Sequence, residues 1–414
     1  MNWLTEDSPG IGGIYKQTTE DFQVNEIPLY PCSGKGEHTY LWIEKSGITT
    51  RNLLSQLAKG LKIKERDLGY AGLKDARALT RQMISVPFSQ LDQIGKLHLN
   101  KAKILQINRH DNKLRLGHLL GNHFTITLRE TDLEALPRAK RILEQLQKRG
   151  VPNLFGKQRY GSLGNSAQLG RLLLQKKFPE FCREYLGNPQ LIRNRSWKEA
   201  AELYRQDHLQ MALDKLPGGM DDERRLLQAL LRGKSHRTAV YSLPKNLLRL
   251  FLSAAQSQFF DQLLLQRLPD LDRLIDGDIA VKHVNGACFR VEHAAMEQTR
   301  ADNFEISPSA PLFGNKVMLA TGIPGRAELK LLEESRLIPG SWKLGEGLTM
   351  SGERRPLRVP LTEPEIINHG ENFITFGFSL PKGSYATSVL RELIKESPSQ
   401  EQIYPQYNKK TGFI

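Results

Sequence analysis

A chain of 414 residues exceeds what one hydrophobic core usually serves, so two domains are expected, each able to bury its own apolar interior. The 59 Lys and Arg outnumber the 45 Asp and Glu by 14, a basic balance that points to a strongly negative partner, nucleic acid before a membrane surface. Three scattered cysteines, Cys32, Cys182 and Cys288, argue against a disulfide framework or a zinc cage; with no basic, apolar leader and no apolar run of about 18 residues, a cytoplasmic protein without a membrane span is expected.

Between residues 14 and 126 strand-like and helix-like patterns alternate. IYKQTTEDFQVNEIP and HTYLWIEKS read as strands, and TTRNLLSQLAKGLKI reads as a helix capped by Thr49 or Thr50. ALTRQMISVPF, KAKILQINRH and HFTITLRE add three strands, and LPRAKRILEQLQKRG is an amphipathic helix ended by Gly150. From Gly170 to Ser242 the text is helical and charged, after which LPKNLLRLFLSAAQSQFFDQLLLQRL supplies a long core helix. Asp276 to Met350 holds Gly and Pro turns with short apolar runs, and strands resume near Leu357 with LRVPLTEPEI and NFITFGFSL. This is the order expected of an α+β or mixed α/β chain with one domain inserted into another. No heptad seam or dimer strand stands out, so a monomer is expected.

The segment GYAGLKDARALTRQMISV, residues 69–86, places Asp75 in a turn-like stretch leading into a strand. Successive side chains of extended backbone point to opposite faces, so Lys74 is badly placed to pair with Asp75 and a cation must come from elsewhere. Taken alone, the segment makes Asp75 a turn cap. The loop VPNLFGKQRYGSLGN, residues 151–165, sets amide, aromatic and guanidinium groups among glycines. Such groups suit an unstacked base, although a Gly-rich connector with inward-packed aromatics fits the pattern equally. RHDNKLRLGHLLGNH, residues 109–123, reads as a phosphate-binding edge against the plainer reading of a solvated charged face. Its histidines lack metal-ligand spacing, so no metal is expected. The pairs Asp270/Asp272 and Asp276/Asp278 fail the EF-hand rule, since Ile275 stands where Gly is needed. Gly10, Gly12 and Gly13 are not in Rossmann context and no GxxxxGK[ST] occurs, so no nucleotide cofactor is expected.

In order along the chain, EDFQVNEIP, GEHTYLWIEKSGITT, GYAGLKDARALTRQ, NKLRLGHLLGNHFTITLR, VPNLFGKQRYG, LPKNLLRLFLSAAQSQFFDQLL, ISPSAPLFG and LPKGSYATSVLREL resemble the tRNA pseudouridine synthase D (TruD) family. Residues about 180 to 240 carry none of its motifs. The resemblance implies that the aspartate of AGxKD, here Asp75, is the nucleophile and that Lys16 is its cationic partner. It implies that Phe22, Asn153, Phe155 and Phe378 line a uracil pocket. It further implies an α+β pseudouridine-synthase catalytic domain, with a mixed, mainly antiparallel sheet flanked by helices, from residues 1–165 and 351–414, and an inserted second α/β domain at 166–350. The expected substrate is tRNA, at uridine 13 of the D-arm, and no cofactor is expected. Arg109, Lys113, Arg115, Lys157 and Arg159 are the candidate phosphate contacts. Three rivals remain open at this point: a non-catalytic RNA-binding protein, a phosphatase-like hydrolase with an aspartate nucleophile, and a structural ribosome-associated protein.

Overall fold

The computed structural model describes residues 3–88, 91–132, 134–345 and 347–395. The chain forms two units, one from the described parts of 2–151 and 359–398, the other from 152–358.

The first unit is built on a nine-stranded sheet. Seven strands run in the spatial order Thr362–Gly370, Phe373–Pro381, Leu119–Thr131, Phe22–Pro28, Leu79–Pro87, His38–Ser46, Ala102–His110. Gly12–Ile14 adds to Leu119–Thr131, and Gly69–Tyr70 adds to Leu79–Pro87. Phe22–Pro28 and Leu79–Pro87 pair parallel, and the other pairings are antiparallel.

One face of this sheet carries the alternate residues of each strand. Phe378, Phe124, Val24, Thr80 and Lys45 lie opposite one another in a single row across five strands. The helix Thr50–Leu61 covers part of the face. Thr49 caps it by accepting from Asn52 N–H at 3.1 Å, and Lys62 ends it in the left-handed conformation. Leu53, Leu54, Leu57, Ala58 and Leu61 then pack on Leu41, Ile43, Ile84 and Val86. The helix Ala135–Arg149 ends at Gly150, as its sequence predicts.

The two chain segments of this unit are stitched together. The fully buried Glu392, in the helix Ala386–Ile394, accepts from the N–H groups of Leu4 at 3.1 Å and Thr5 at 3.0 Å. Residues at opposite ends of the chain therefore share one core, which is what permits a second unit to be inserted.

One sequence expectation is corrected. The pattern predicts a single strand through IYKQTTEDFQVNEIP, but the backbone leaves the sheet after Ile14 and re-enters at Phe22. Lys16 adopts φ 64°, and Asp21 closes the turn by accepting from Thr18 N–H at 2.9 Å. A side chain that satisfies local backbone donors competes with the ladder, which is why the strand breaks here.

The second unit begins with the helices Ser166–Leu174, Phe178–Tyr185, Arg195–Arg205, Leu209–Lys215, Asp221–Leu231 and His236–Tyr241. The 23-residue helix Lys245–Arg267 runs through its core. Gly170 permits a close helix crossing, since a Cβ there would stand 2.1 Å from Phe251 O. A four-stranded antiparallel sheet follows, in the order Cys288–Arg290, Ile279–Lys282, Ile306–Leu312, Glu353–Pro356.

Candidate active site

Asp75 sits in the loop between Gly69–Tyr70 and Leu79–Pro87, two strands that pair with each other. The near end of the loop is held where Tyr70 faces Ile84, and the far end where Leu79 pairs with Ser46 and Gln23. Gly69 is required for this closure, because a Cβ would stand 2.3 Å from both Leu114 O and Ser85 Oγ. Inside the loop Lys74 N–H donates to Thr50 Oγ1 at 2.8 Å, and that hydroxyl donates to Gln82 Oε1 at 2.9 Å.

Lys74 and Asp75 point apart. Lys74 Nζ donates to Asn122 Oδ1 at 2.6 Å and lies 2.9 Å from Glu26 Oε2. The approach to Glu26 lies off the hydrogen-bonding direction, so this is a charge contact more than a hydrogen bond. Glu26 and Asn122 face each other across neighbouring strands.

Asp75 meets a different cation. Its Oδ2 accepts from Lys16 Nζ, and its Oδ1 accepts from Arg77 N–H at 2.9 Å. Burial pushes the Asp75 carboxyl up, but the Lys16 ammonium, the Arg77 N–H and the Lys45 charge together outweigh it and hold the group below its ordinary value. Its side chain keeps 30% exposure, so the carboxylate is reachable.

Lys16 is placed by the turn that interrupts the strand. Asp21, whose side chain is 2% exposed, grips Arg129 through Nε at 3.0 Å and Nη2 at 2.7 Å while also accepting from Thr18 N–H. That fork fixes the chain between Lys16 and Phe22. The Lys16 ammonium consequently lies 4.2 Å from the centroid of the Phe22 ring as well as on Asp75. Phe22 packs edge-on to Phe124 at 6.2 Å, and Phe124 packs on Phe378 at 5.6 Å. Phe378 is fully buried, so it supports this aromatic series from below.

Asn153 and Phe155 belong to the other unit. Asn153 is buried; its Nδ2 donates to Pro356 O at 2.9 Å and its Oδ1 accepts from Arg355. The Phe155 ring lies against Phe260 at 5.7 Å and under the Arg355 guanidinium at 4.3 Å. Phe155 N–H donates to Asp261 Oδ1 at 3.0 Å, and Tyr160 OH donates to Asp261 Oδ2. The loop is thus organised by Arg355 and Asp261, far away in sequence.

The candidate phosphate contacts differ in availability. Arg109 donates to Gly36 O at 2.7 Å and stacks 3.8 Å from the Phe88 ring centroid. Lys113 donates to Arg66 O, and Arg159 donates to Ser257 Oγ and Ser253 Oγ. Arg115 is exposed. The Lys157 side chain lies outside the described residues. Among the described residues, no group of three or more His, Cys, Asp or Glu is placed to hold a metal ion, and no helix is long and apolar enough to cross a membrane.

Sequence reading missed Lys45. It lies beneath Asp75 and is 1% exposed. A signal was available: in HTYLWIEKS it shares the period-2 face of Leu41 and Ile43, which makes it a lysine in register with an apolar stripe.

The family model for tRNA pseudouridine synthase D (TruD) matches residues 1–393. A tRNA pseudouridine synthase D of Syntrophotalea carbinolica is 51% identical over 95% of this chain and 99% of its own. That of Geobacter sulfurreducens is 46% identical over 95% of this chain and 96% of its own. A crystal structure from Methanosarcina mazei assigned to tRNA pseudouridine synthase D superposes with a TM-score of 0.83 at 28% identity, covering 96% of this chain and 97% of that one. Sequence likeness along both units and a shared fold lead to one assignment: the chain belongs to the tRNA pseudouridine synthase D (TruD) family.

Proposed function

We propose that this chain isomerises uridine to pseudouridine in tRNA, at position 13 of the D-arm, with Asp75 as nucleophile and Lys16 as the cation that keeps it ionised. The observation that carries the proposal is a partly exposed carboxylate paired with the Lys16 ammonium beside the Phe22 ring and held below its ordinary value by Lys16, the Arg77 N–H and Lys45. Substrate and product have the same atoms. The reaction must break the bond from C1′ to N1, turn the base, and join C1′ to C5; C5 loses a proton, N1 gains one, and there is no net redox change. An ionised Asp75 can attack C1′ to form a glycosyl ester, or take the sugar proton that leads to a glycal. Either path needs the carboxylate unprotonated. Lys16 favours that state against the effect of burial.

The base must leave its stack, which costs a few kcal/mol in general, and aromatic faces can offset this. Phe22 is the aromatic ring nearest the Asp75–Lys16 pair, with Phe378 supporting it through Phe124. Asn153 and Phe155 are assigned by resemblance to the uracil edge and face. In the structure Arg355 holds both, and Asn153 is buried with its amide on Pro356 O and Arg355, so it must release one of these partners to read a base edge. Arg115 is ready to meet phosphate as it stands; Arg109, Lys113 and Arg159 must first release intramolecular partners. Lys157 completes the proposed set. A monomer working in the cytoplasm, without metal or organic cofactor, is the form proposed.

The test is incubation of the wild type and Asp75→Asn with unmodified tRNA transcripts in chelator, followed by adduct mapping of pseudouridine. Modification at position 13 by the wild type alone supports the full reading. An active Asp75→Asn removes the nucleophile assignment, and binding without modification by either protein favours a non-catalytic RNA-binding role.

A further inference from the structure

Lys45 is buried to 1% exposure, and removing an ammonium from water costs several kcal/mol unless polar partners replace the solvent. Its hydrogen bonds among the described residues go to backbone carbonyls: Ile48 O at 2.7 Å, Asp75 O at 2.8 Å and Lys74 O at 3.5 Å. These carbonyls belong to two segments. One is the turn entering the helix Thr50–Leu61; the other is the loop that presents Asp75. Burial pulls the Lys45 amine down to about 8, the Asp75 charge works to raise it, and the Lys74 charge lowers it further.

We infer that Lys45 is a positioning residue for Asp75: from beneath the loop its ammonium holds the Asp75 carbonyl and adds positive potential under the carboxylate. This rests on the reading of Asp75 as the nucleophile. Two contacts then act on one residue from opposite ends, Lys16 on the carboxylate and Lys45 on the backbone. Lys45 touches no reacting atom. Its effect is to keep the Asp75 carboxylate where Lys16 and the substrate sugar meet it, and displacement of a reacting group by about 1 Å can lower a rate by about 100-fold.

The full-length protein and a tRNA transcript serve for the test. Lys45→Met removes the charge and the donors at similar length; Lys45→Gln keeps one amide donor without charge. Single-turnover rate, tRNA Kd and thermal midpoint are measured for both, with Asp75→Asn alongside. The expected result is a single-turnover rate reduced by about 10- to 100-fold in Lys45→Met, less in Lys45→Gln, with tRNA Kd within about threefold of wild type. A Lys45→Met rate within about threefold of wild type, or a loss that appears equally in Kd, overturns the inference. So does failure of both variants to fold, since Lys45 would then be a folding residue. If Asp75→Asn modifies tRNA, the underlying reading has failed; if it is inert and Lys45→Met is normal, only the inference about Lys45 has failed.

Discussion

Lys74 and Glu26 form a charge pair inside the sheet, with side chains 5% and 1% exposed and Nζ 2.9 Å from Oε2. Replacing Lys74 by Met leaves a buried carboxylate whose remaining partner is Met83 N–H at 3.2 Å. Stranding one member of a buried pair costs about 3–5 kcal/mol, because the lost attraction no longer offsets desolvation. Glu26→Gln strands the ammonium in turn, although Asn122 still accepts from it at 2.6 Å, so the lower end of that range is expected. The double variant, with neither charge, should lie within about 2 kcal/mol of wild type, a coupling of about 4 kcal/mol or more. Hydrogen exchange of the strand Leu79–Pro87, which carries the Met83 amide, reads this locally and avoids treating a two-unit chain as one transition. At about tenfold per 1.4 kcal/mol, Lys74→Met should speed exchange through opening by roughly 100-fold or more, and the double variant should recover most of it. Equal protection in all variants, or a double variant as exposed as the sum of the singles, would refute the view that this pair anchors the loop.

Further outcomes follow from the same geometry. Lys16→Met removes the main group opposing burial at Asp75, so the acid limb of the rate profile should move to higher pH, with kcat falling more than tRNA affinity. For Asp21 and Asp75 the folded values lie below the unfolded ones. Their contribution to stability is therefore present above the ordinary carboxylate range near about 3.9 and is lost as pH falls through the folded values, which acid titration of circular dichroism checks. Asp21→Ala should destabilise the turn before Phe22 and slow turnover by loosening Lys16, while the half-exposed Arg129 guanidinium is left to solvent; hydrogen exchange of the strand Leu119–Thr131 and a rate assay measure the two. Arg115→Ala should weaken tRNA binding with little change in stability and flatten the salt dependence by about 0.7–0.9 in log–log slope, whereas Arg159→Ala should show first as lost stability.

Much of this architecture was legible because period and punctuation are local properties. Thr49 as a cap, Gly150 as a stop, and HTYLWIEKS and NFITFGFSL as strands all survive in the folded chain. The divergence of Lys74 from Asp75 was also legible, from extended geometry alone. The break at Lys16 was not, since the Asp21 side chain that closes the turn on Thr18 N–H is itself held by Arg129, which no window around residue 16 contains. Arg355 escaped for the same reason, being 202 positions from the Asn153 that it holds. Long-range polar contacts have no periodicity, so a single sequence does not display them.

The position of the Asp75 loop follows from where the apolar face of the sheet runs out. Beneath the helix Thr50–Leu61 the face is Leu41, Ile43, Ile84 and Val86, and beyond it the same alternation delivers Lys45, Thr80 and Gln82. On the neighbouring strands it delivers Phe22 and Val24, then Glu26. A loop laid over a wholly apolar surface would leave its carbonyls and N–H groups unpaired, at a cost of about 1–3 kcal/mol each. Laid over this polar end, it finds a donor for Asp75 O and a countercharge for Lys74, while Thr50 at the start of the helix accepts from Lys74 N–H. The aromatic side of the face then stands next to the carboxylate instead of under its backbone. One strand period thus puts the residues that hold the loop and the aromatic series on the same face, and a substitution that shifted Leu79–Pro87 by one position would turn Thr80, Gln82 and Ile84 away from it.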